Sequence, residues 1–149
     1  MNKPFSWPVR VYYEDTDAGG IVFYANYLKF FERARTEWLR AAGIAQQPLA
    51  HEARRMFVVK TTTIDYHAPA KLDDALVITV EVEKLGRASL DFSQHAWRVP
   101  DNGEPGDRHL LCSSRIRVAC VDADTLRPVP VPDDVSTRLR TMMKQFDVE

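Results

Sequence analysis

The chain has 149 residues, of which 45% are hydrophobic, and its 20 basic and 21 acidic side chains leave a formal net charge of -1. This length suits one domain, predicted over residues 1–149, and the charge balance lacks the basic excess that nucleic acid selects. No apolar run approaches the ~20 residues of a membrane span, and the start lacks a cleavable signal sequence, so we expect a cytoplasmic protein.

A strand, a helix and four further strands are predicted in chain order. Alternating apolar and polar residues indicate a strand over 7–13, and the glycines of EDTDAGG end it in a tight turn. Apolar residues then recur at helical spacing from about Tyr24 to Ala42, which predicts an amphipathic helix. A loop containing Pro48 follows. The four later strands are predicted at 57–66, 75–82, 89–99 and 110–121.

Two further signals lie in the second half of the chain. The segment PDNGEPGD, at 100–107, predicts an enlarged hairpin loop between the last two strands. Near the C-terminus, Val135, Leu139, Met142 and Phe146 are spaced as one helical face. A short helix that docks on the domain is the favoured interpretation, and a helix that binds a partner or a membrane surface is the alternative.

This order of elements predicts an α+β fold. Only the first connection contains a helix long enough to return the chain for parallel pairing, so the sheet of about five strands should be largely antiparallel. A helix with one apolar stripe and a sheet with one apolar face bury both surfaces when the sheet packs on or wraps around the helix. That outline resembles the hotdog fold.

Familiar catalytic and metal-binding motifs are absent from the sequence. There is no GxSxG, GxxxxGK or GxGxxG, and the four histidines show no paired ligand spacing, so neither a metal nor a cofactor is expected. Cys112 and Cys120 would lie about 26 Å apart on one strand. They are therefore predicted to be two buried, unreactive thiols.

The segment YEDTDAGGIVFYANY, from Tyr13 to Tyr27, places carboxylates on a glycine turn that leads into the predicted helix. A helix start gathers free N–H groups, which can polarise a carbonyl while a carboxylate attacks it or activates water. Thioesters suit such a site because their thiolate departs readily. The residues alone favour a plainer interpretation, in which Glu14, Asp15 and Asp17 complete the turn and cap the helix.

At these residues the sequence resembles the 4-hydroxybenzoyl-CoA thioesterase branch of the hotdog acyl-CoA thioesterases, and most closely its tol-pal-associated members. The resemblance is densest in WPVRVYYEDTDAGGIVFYANYLKFFERARTEWLR and returns in DYHAPAKLDD and near RVACVD. It makes catalysis the favoured reading of the turn and implies hydrolysis of an acyl-CoA to a free acid and CoA. It also implies a homodimer or homotetramer whose site lies between protomers.

The resemblance assigns site residues position by position. The catalytic aspartate falls on Asp17, as nucleophile or general base, and Asp15 becomes a structural or electrostatic neighbour. Tyr24 supplies the N–H that polarises the carbonyl, although many tol-pal-associated members carry His there. Arg87, in the turn EKLGRAS, resembles a phosphate-binding position, with an ordinary solvated turn residue as the equal alternative. The remaining substrate-binding candidates are Tyr13, Gly19, Gly20, Ile21 and Tyr27.

Other functions stay open on the sequence alone. One is a non-catalytic binding or scaffold protein that holds acyl carrier protein or an envelope-associated complex. Acyl carrier protein is also an alternative to CoA as the carrier of the acyl group. A hotdog dehydratase ranks last, because the His-containing motif expected of such an enzyme is not evident.

Overall fold

Five strands and three helices are present in the computed structural model, which describes residues 3–100 and 107–146. A 3-10 turn at Tyr13–Asp15 follows the first strand. The strands are β1 (Phe5–Arg10), β2 (Arg55–Tyr66), β3 (Ala75–Leu85), β4 (Ser89–Val99) and β5 (His109–Asp122). The helices are α1 (Asn26–Ala41), α2 (Gln46–Glu52) and α3 (Asp133–Phe146).

The strands form one sheet in the order β1-β3-β4-β5-β2, in which every neighbouring pair is antiparallel. The predicted α+β class and antiparallel sheet are therefore confirmed. β4 and β5 form the expected hairpin and pair Trp97 with Leu110. The predicted loop between them falls mainly on 101–106, which lie outside the described residues.

The apolar stripe of α1 packs against the sheet, and burial of its rings supplies the main stabilisation of the helix. Trp38 lies edge-to-face on Phe92 of β4, with ring centroids 5.7 Å apart. Each large apolar side chain buried in this way contributes about 1.5–3 kcal/mol. The members of the stripe that are at most 3% exposed are Tyr27, Phe30, Phe31, Ala34 and Trp38.

α1 begins two residues later than predicted. The Asn26 N–H donates to the Phe23 carbonyl at 2.8 Å, so the chain makes a turn at residues 24 and 25 before the helix starts. The apolar Leu28, at the edge of the stripe, is 42% exposed, whereas the charged Arg35 is buried. Helical spacing located the stripe correctly but did not place these two flanking residues.

β1 also ends earlier than predicted, at Arg10. The next residues leave the strand because the Asp15 carboxylate accepts the Tyr12 N–H at 2.8 Å and draws the chain into the 3-10 turn. A hydrogen bond from a side chain to the backbone competes with strand pairing in this way.

The helix α2 was not predicted, because Pro48 suggested a loop. Pro48 occupies the third position of α2. Proline is tolerated in the first turn of a helix, where the missing N–H would have no acceptor within the helix.

α3 docks on the domain, as the favoured interpretation predicted. Val135, Leu139 and Met142 are buried, and the Phe146 ring lies edge-to-face on Phe5 of β1 at 5.5 Å. Within the described residues, no helix combines the length and hydrophobicity needed to cross a bilayer.

Both cysteines lie on β5 as free, buried thiols, as predicted. Burial raises the pKa of Cys112 to about 12 and also raises the pKa of Cys120. The thiols therefore stay protonated at neutral pH and are poor nucleophiles.

Candidate active site

A small hairpin follows the 3-10 turn. Thr16 forms an antiparallel bridge with Val22. Asp17 donates its N–H to the Ile21 carbonyl at 2.9 Å, and the Asp17 carbonyl accepts the Gly20 N–H at 3.0 Å. Gly20 has a φ of +78°, the left-handed conformation that closes a three-residue hairpin loop and strains other residues. The sequence DAGG thus reverses the chain within a few residues.

The Asp17 side chain is exposed on this hairpin. Its Oδ1 accepts the Gly19 N–H at 2.8 Å, the local bond expected of an aspartate that opens a turn. A Cβ at Gly19 would lie 3.3 Å from that oxygen, so glycine suits this close approach. Among residues 3–100 and 107–146, no group donates to the second oxygen, Oδ2.

Asp15, two residues earlier, has a different environment. It is 7% exposed, and its carboxylate accepts the Tyr12 N–H at 2.8 Å and the Asn26 side-chain amide at 2.9 Å. The Asp15 carbonyl accepts the Phe23 N–H at 3.0 Å. Asp15 therefore joins the loop to the first residue of α1, while Asp17 keeps a carboxylate oxygen that no described protein group binds.

An open groove of about 270 Å³ lies beside the start of α1. One wall comes from the end of the hairpin and the first turn of α1, and the other comes from the chain that leaves β2. The Val22 N–H donates to the Ala70 carbonyl at 2.8 Å, which ties the two walls together. The lining residues are Ile21, Val22, Tyr24, Tyr27, Tyr66, His67, Ala68 and Pro69.

The groove is aromatic, and its polar groups are mostly backbone amides and phenols. The Tyr66 hydroxyl donates to the Tyr24 carbonyl at 2.8 Å, and the Tyr27 hydroxyl accepts the Ala70 N–H at 3.1 Å. Burial raises the pKa of both Tyr27 and Tyr66, so both phenols are neutral at physiological pH. The rings of Tyr27 and Tyr66 lie 5.6 Å apart.

The Tyr24 backbone is positioned to receive a ligand. Its carbonyl is held by Tyr66, its side chain is 64% exposed, and its N–H has no acceptor within the described part of the chain. An N–H without a protein acceptor can donate to the oxygen of a ligand and stabilise negative charge that develops on it.

The structure brings together only some of the predicted site residues. Ile21, Tyr24 and Tyr27 line the groove, and Asp17 adjoins it through the backbone bond to Ile21. Gly19 and Gly20 shape the hairpin, as expected. The Tyr13 side chain, by contrast, is 81% exposed in the 3-10 turn and does not line the groove.

Arg87 is also separate from the groove within one chain. It is exposed in the turn between β3 and β4, and its carbonyl accepts the Val131 N–H at 2.9 Å. The groove lies near the other end of β3, where Ala75 pairs with the last residue of β1. About 40 Å of extended chain separates Ala75 from Arg87.

Sequence reasoning did not assign roles to Tyr66 and His67, which form part of the groove. The His67 Nε2 lies 2.9 Å from the Ser113 hydroxyl of β5. An aromatic residue and a histidine at the end of a predicted strand were the available signal. Among the described residues, no three His, Cys, Asp or Glu side chains form a group that could hold a metal ion.

The sheet, its packed helix and the groove define a class of protein, and comparison with known proteins identifies it. The thioesterase superfamily matches this chain over residues 19–104. The chain belongs to that superfamily, as the resemblance in its sequence predicted.

Two relatives with high sequence identity carry names that specify acyl-CoA as the substrate. The acyl-CoA thioesterase YbgC of Haemophilus influenzae is 47% identical over 135 residues, which cover 91% of this chain and 93% of the relative. The acyl-CoA thioester hydrolase YbgC of Escherichia coli O6:H1 is 44% identical over 131 residues, which cover 88% of this chain and 92% of the relative.

Solved structures support the fold. A mutant of 4-hydroxybenzoyl-CoA thioesterase in complex with 4-hydroxybenzoyl-CoA matches with a TM-score of 0.82 at 20% identity, over 91% of this chain and 98% of that chain. A 1,4-dihydroxy-2-naphthoyl-CoA thioesterase from Synechocystis matches with a TM-score of 0.80 at 19% identity, over 97% and 98%. The predicted hotdog fold is confirmed.

Proposed function

We propose that this protein hydrolyses acyl-CoA thioesters to a free acid and CoA, with Asp17 as the nucleophile or general base. Membership of the thioesterase superfamily and relatives named acyl-CoA thioesterases at 44–47% identity support the reaction class. One observation carries the residue assignment. Asp17 has an exposed carboxylate oxygen that no described residue binds, and its backbone is bonded to Ile21, which lines the aromatic groove. In the same groove, the Tyr24 N–H has no acceptor among the described residues.

The thioester carbonyl oxygen accepts the Tyr24 N–H, which stabilises the negative charge that develops during attack. In the nucleophilic route, Asp17 attacks the carbonyl carbon, the C–S bond breaks, and CoA leaves as a thiolate that takes a proton. Water then hydrolyses the mixed anhydride and releases the acid. In the general-base route, Asp17 takes a proton from water as the water attacks the same carbon, with the same products.

We further infer that a second copy of the chain completes the site. β2 is an edge strand of twelve residues with exposed apolar side chains, including Val59 at 53% and Tyr66 at 46%. A long edge strand leaves unpaired backbone N–H and carbonyl groups, which proteins normally cover or pair. Arg87 lies at the far end of β3, so a role in binding substrate at the groove requires that it come from a partner chain.

Thiol release from a panel of acyl-CoAs tests the proposed reaction, with Asp17→Asn as the decisive variant. Asparagine retains an oxygen that accepts the Gly19 N–H, so the hairpin should fold. It neither attacks the thioester nor takes a proton from water, and we expect activity to fall by at least about 100-fold.

Glu14→Gln is the matched control, because Glu14 is an exposed acid on the same loop. Its activity should equal that of the unmodified protein. Full activity in Asp17→Asn would remove Asp17 from the mechanism. Absence of thiol release by the unmodified protein from every acyl-CoA would contradict the proposed reaction.

The role of Arg87 is tested separately. If Arg87 binds a phosphate of CoA, Arg87→Ala raises KM for acyl-CoA more than it lowers kcat. Arg127→Ala, which changes another exposed turn residue, should leave both constants unchanged. An unchanged KM in Arg87→Ala would assign Arg87 to the solvated surface.

Mixing the two variants tests whether the site is shared. A dimer of one Asp17→Asn chain and one Arg87→Ala chain contains one site with both native residues, if the two residues come from different chains. Activity with the native KM should then appear on mixing. If the chains are verified to exchange and no activity with the native KM appears, the shared site is contradicted.

A further inference from the structure

The middle of α1 carries a buried positive charge that forms no salt bridge with the described residues. Arg35 is 8% exposed, and its guanidinium donates to the Gln94 side-chain oxygen at 2.9 Å. Arginine has five N–H donors. Among the described residues, no second acceptor and no ion-paired carboxylate serves the other donors of Arg35.

The neighbour of Arg35 is firmly held. Gln94 lies on β4 and is fully buried, and its side-chain nitrogen donates to the Phe31 carbonyl at 3.0 Å. The Gln94 backbone carbonyl accepts the Ser114 hydroxyl at 3.1 Å. The amide therefore presents its oxygen to Arg35 in a fixed orientation, and the guanidinium is preorganised at this position.

Arg35 keeps its charge in this environment. Burial lowers the pKa of Arg35 to about 10, which still leaves the guanidinium protonated at pH 7. The negative charge of Glu32 favours the charged form of Arg35, but the one hydrogen-bond acceptor of Arg35 among the described residues is the neutral Gln94 amide. The lost hydration of the buried cation is therefore compensated only in part. An anion that reached it would supply that compensation.

Arg35 lines a cavity of about 150 Å³ between α1 and the sheet. An engineered apolar cavity of similar volume binds benzene, so a ring or a short chain fits this space. The apolar lining residues are Leu39, Phe57, Val59, Leu90, Phe92 and Val118, and the polar ones besides Arg35 are Glu32, Thr36 and Gln46. This cavity shares no lining residue with the groove beside Tyr24.

We propose that this cavity binds a small organic carboxylate, whose charged group pairs with Arg35 and whose ring or short chain contacts the apolar wall. The planar guanidinium matches a carboxylate with two parallel hydrogen bonds. The site does not depend on the proposed catalysis, although the free acid that thioester hydrolysis releases belongs to the same chemical class.

Glu32 sets the expected selectivity. It is the one acid that lines the described cavity, and its carboxylate accepts the Thr36 hydroxyl at 2.8 Å instead of pairing with Arg35. Its negative charge opposes an incoming anion. The balance between Arg35 and Glu32 therefore controls affinity for carboxylates.

Titration of the unmodified protein with matched acids and amides tests the site without any mutation. Hexanoate and benzoate at pH 7 should shift the methyl NMR signals of Val59, Leu90 and Val118 in a saturable way. Hexanamide and benzamide have nearly the same shape without the charge, and we expect them to bind at least about tenfold more weakly. Equal binding of acids and amides, or no saturable shift with either acid, would overturn the proposal.

Variants locate the charge that binds. Arg35→Met should weaken hexanoate binding by about tenfold or more, and Arg35→Lys should retain part of it. Glu32→Gln should bind hexanoate more tightly than the unmodified protein. Arg33→Gln, an exposed change on the same helix, is the control and should not alter affinity.

The measurements stay decisive if Arg35→Met does not fold. The acid and amide comparison and the Glu32→Gln variant both use a protein with native Arg35. Weaker or unchanged binding in Glu32→Gln would contradict the proposed charge balance. Shifts confined to Ile21 and Val22 would place the acid in the groove and overturn the assignment to this cavity.

Discussion

Two buried charged residues near α1, Asp15 and Arg35, differ in how fully the protein satisfies their hydrogen-bonding groups. Asp15, at the start of the helix, receives a donor at each carboxylate oxygen, from the Tyr12 N–H and the Asn26 amide. Arg35, in the middle of the helix, makes one hydrogen bond to Gln94 among the described residues. Both oxygens of the Asp15 carboxylate therefore have a donor, whereas the Arg35 guanidinium keeps N–H groups that have no acceptor among the described residues.

The difference follows from the backbone around each group. Asp15 lies in a loop, and a loop folds so that its free N–H groups reach a carboxylate. The Arg35 side chain lies between α1 and the sheet. Most backbone carbonyls there already accept hydrogen bonds within their own helix or strand pair. A buried charge between regular elements therefore depends on side chains or on a ligand.

The largest expected effect comes from removing the acceptor of Arg35. Gln94→Leu leaves the buried guanidinium without its amide and should lower the free energy of unfolding by about 3 kcal/mol. Urea denaturation measures this change. Gln47→Leu, at an exposed position of α2, is the control and should change stability little.

The double variant shows whether the loss comes from the unpaired charge. Adding Arg35→Met to Gln94→Leu removes the cation as well and should recover a substantial part of the lost stability. If the two substitutions destabilise additively, the interpretation of Arg35 as a charge that needs a partner is wrong.

A smaller effect is expected at the start of α1. Asp15→Ala removes the acceptor of the Tyr12 N–H and should lower the free energy of unfolding by about 2 kcal/mol. Hydrogen exchange at the Tyr12 amide should become faster. Glu14→Ala, which changes an exposed neighbour, should leave both measurements unchanged, and equal behaviour of the two variants would show that Asp15 does not anchor the loop.

The smallest expected effect is the change in stability with pH that His95 causes and to which Arg35 does not contribute. Burial lowers the pKa of His95 on β4, against the opposing effect of nearby acids on β3. Below its usual pKa, the unfolded chain binds a proton that folded His95 resists, so the free energy of unfolding falls as pH drops from about 7 to 5. Arg35 stays protonated over this range, with its pKa at about 10.

His95→Gln should reduce that dependence on pH by less than about 1 kcal/mol, because His95 is partly exposed to solvent. Urea denaturation at a series of pH values measures it. His51→Gln, at an exposed position of α2, serves as the control. A dependence that stays the same in His95→Gln would assign the effect to other groups.

Periodic segments of the sequence predicted the fold well. The strand predicted at 89–99 has the bounds of β4, and the helical spacing of large apolar residues placed the buried face of α1. These patterns arise because buried side chains recur along the sequence with the period of the helix or strand that carries them. The helix α2 was missed because it has only seven residues, contains Pro48 and buries only Leu49, so no repeating apolar pattern marks it.

The candidate site was predictable where it is local in sequence. Asp17, Ile21, Tyr24 and Tyr27 lie within eleven consecutive residues, so a turn that leads into a helix necessarily keeps them near each other. The assignments of these residues and of Tyr13 and Arg87 stay predictions. So do the single domain, the oligomer, the cytoplasmic location, the acyl carrier protein partner and the tol-pal association.

The sequence by itself determined the antiparallel α+β fold and the hairpin with Asp17 before α1, because both depend on local spacing and burial. The family was identified from the sequence by its resemblance to known thioesterases, which the family match supports. Tertiary structure alone decided which distant groups meet. Tyr66 bonds Tyr24 across 42 positions, and Gln94 bonds Arg35 across 59. Such contacts depend on the register of strands and on the angle at which a helix packs, which no local pattern specifies.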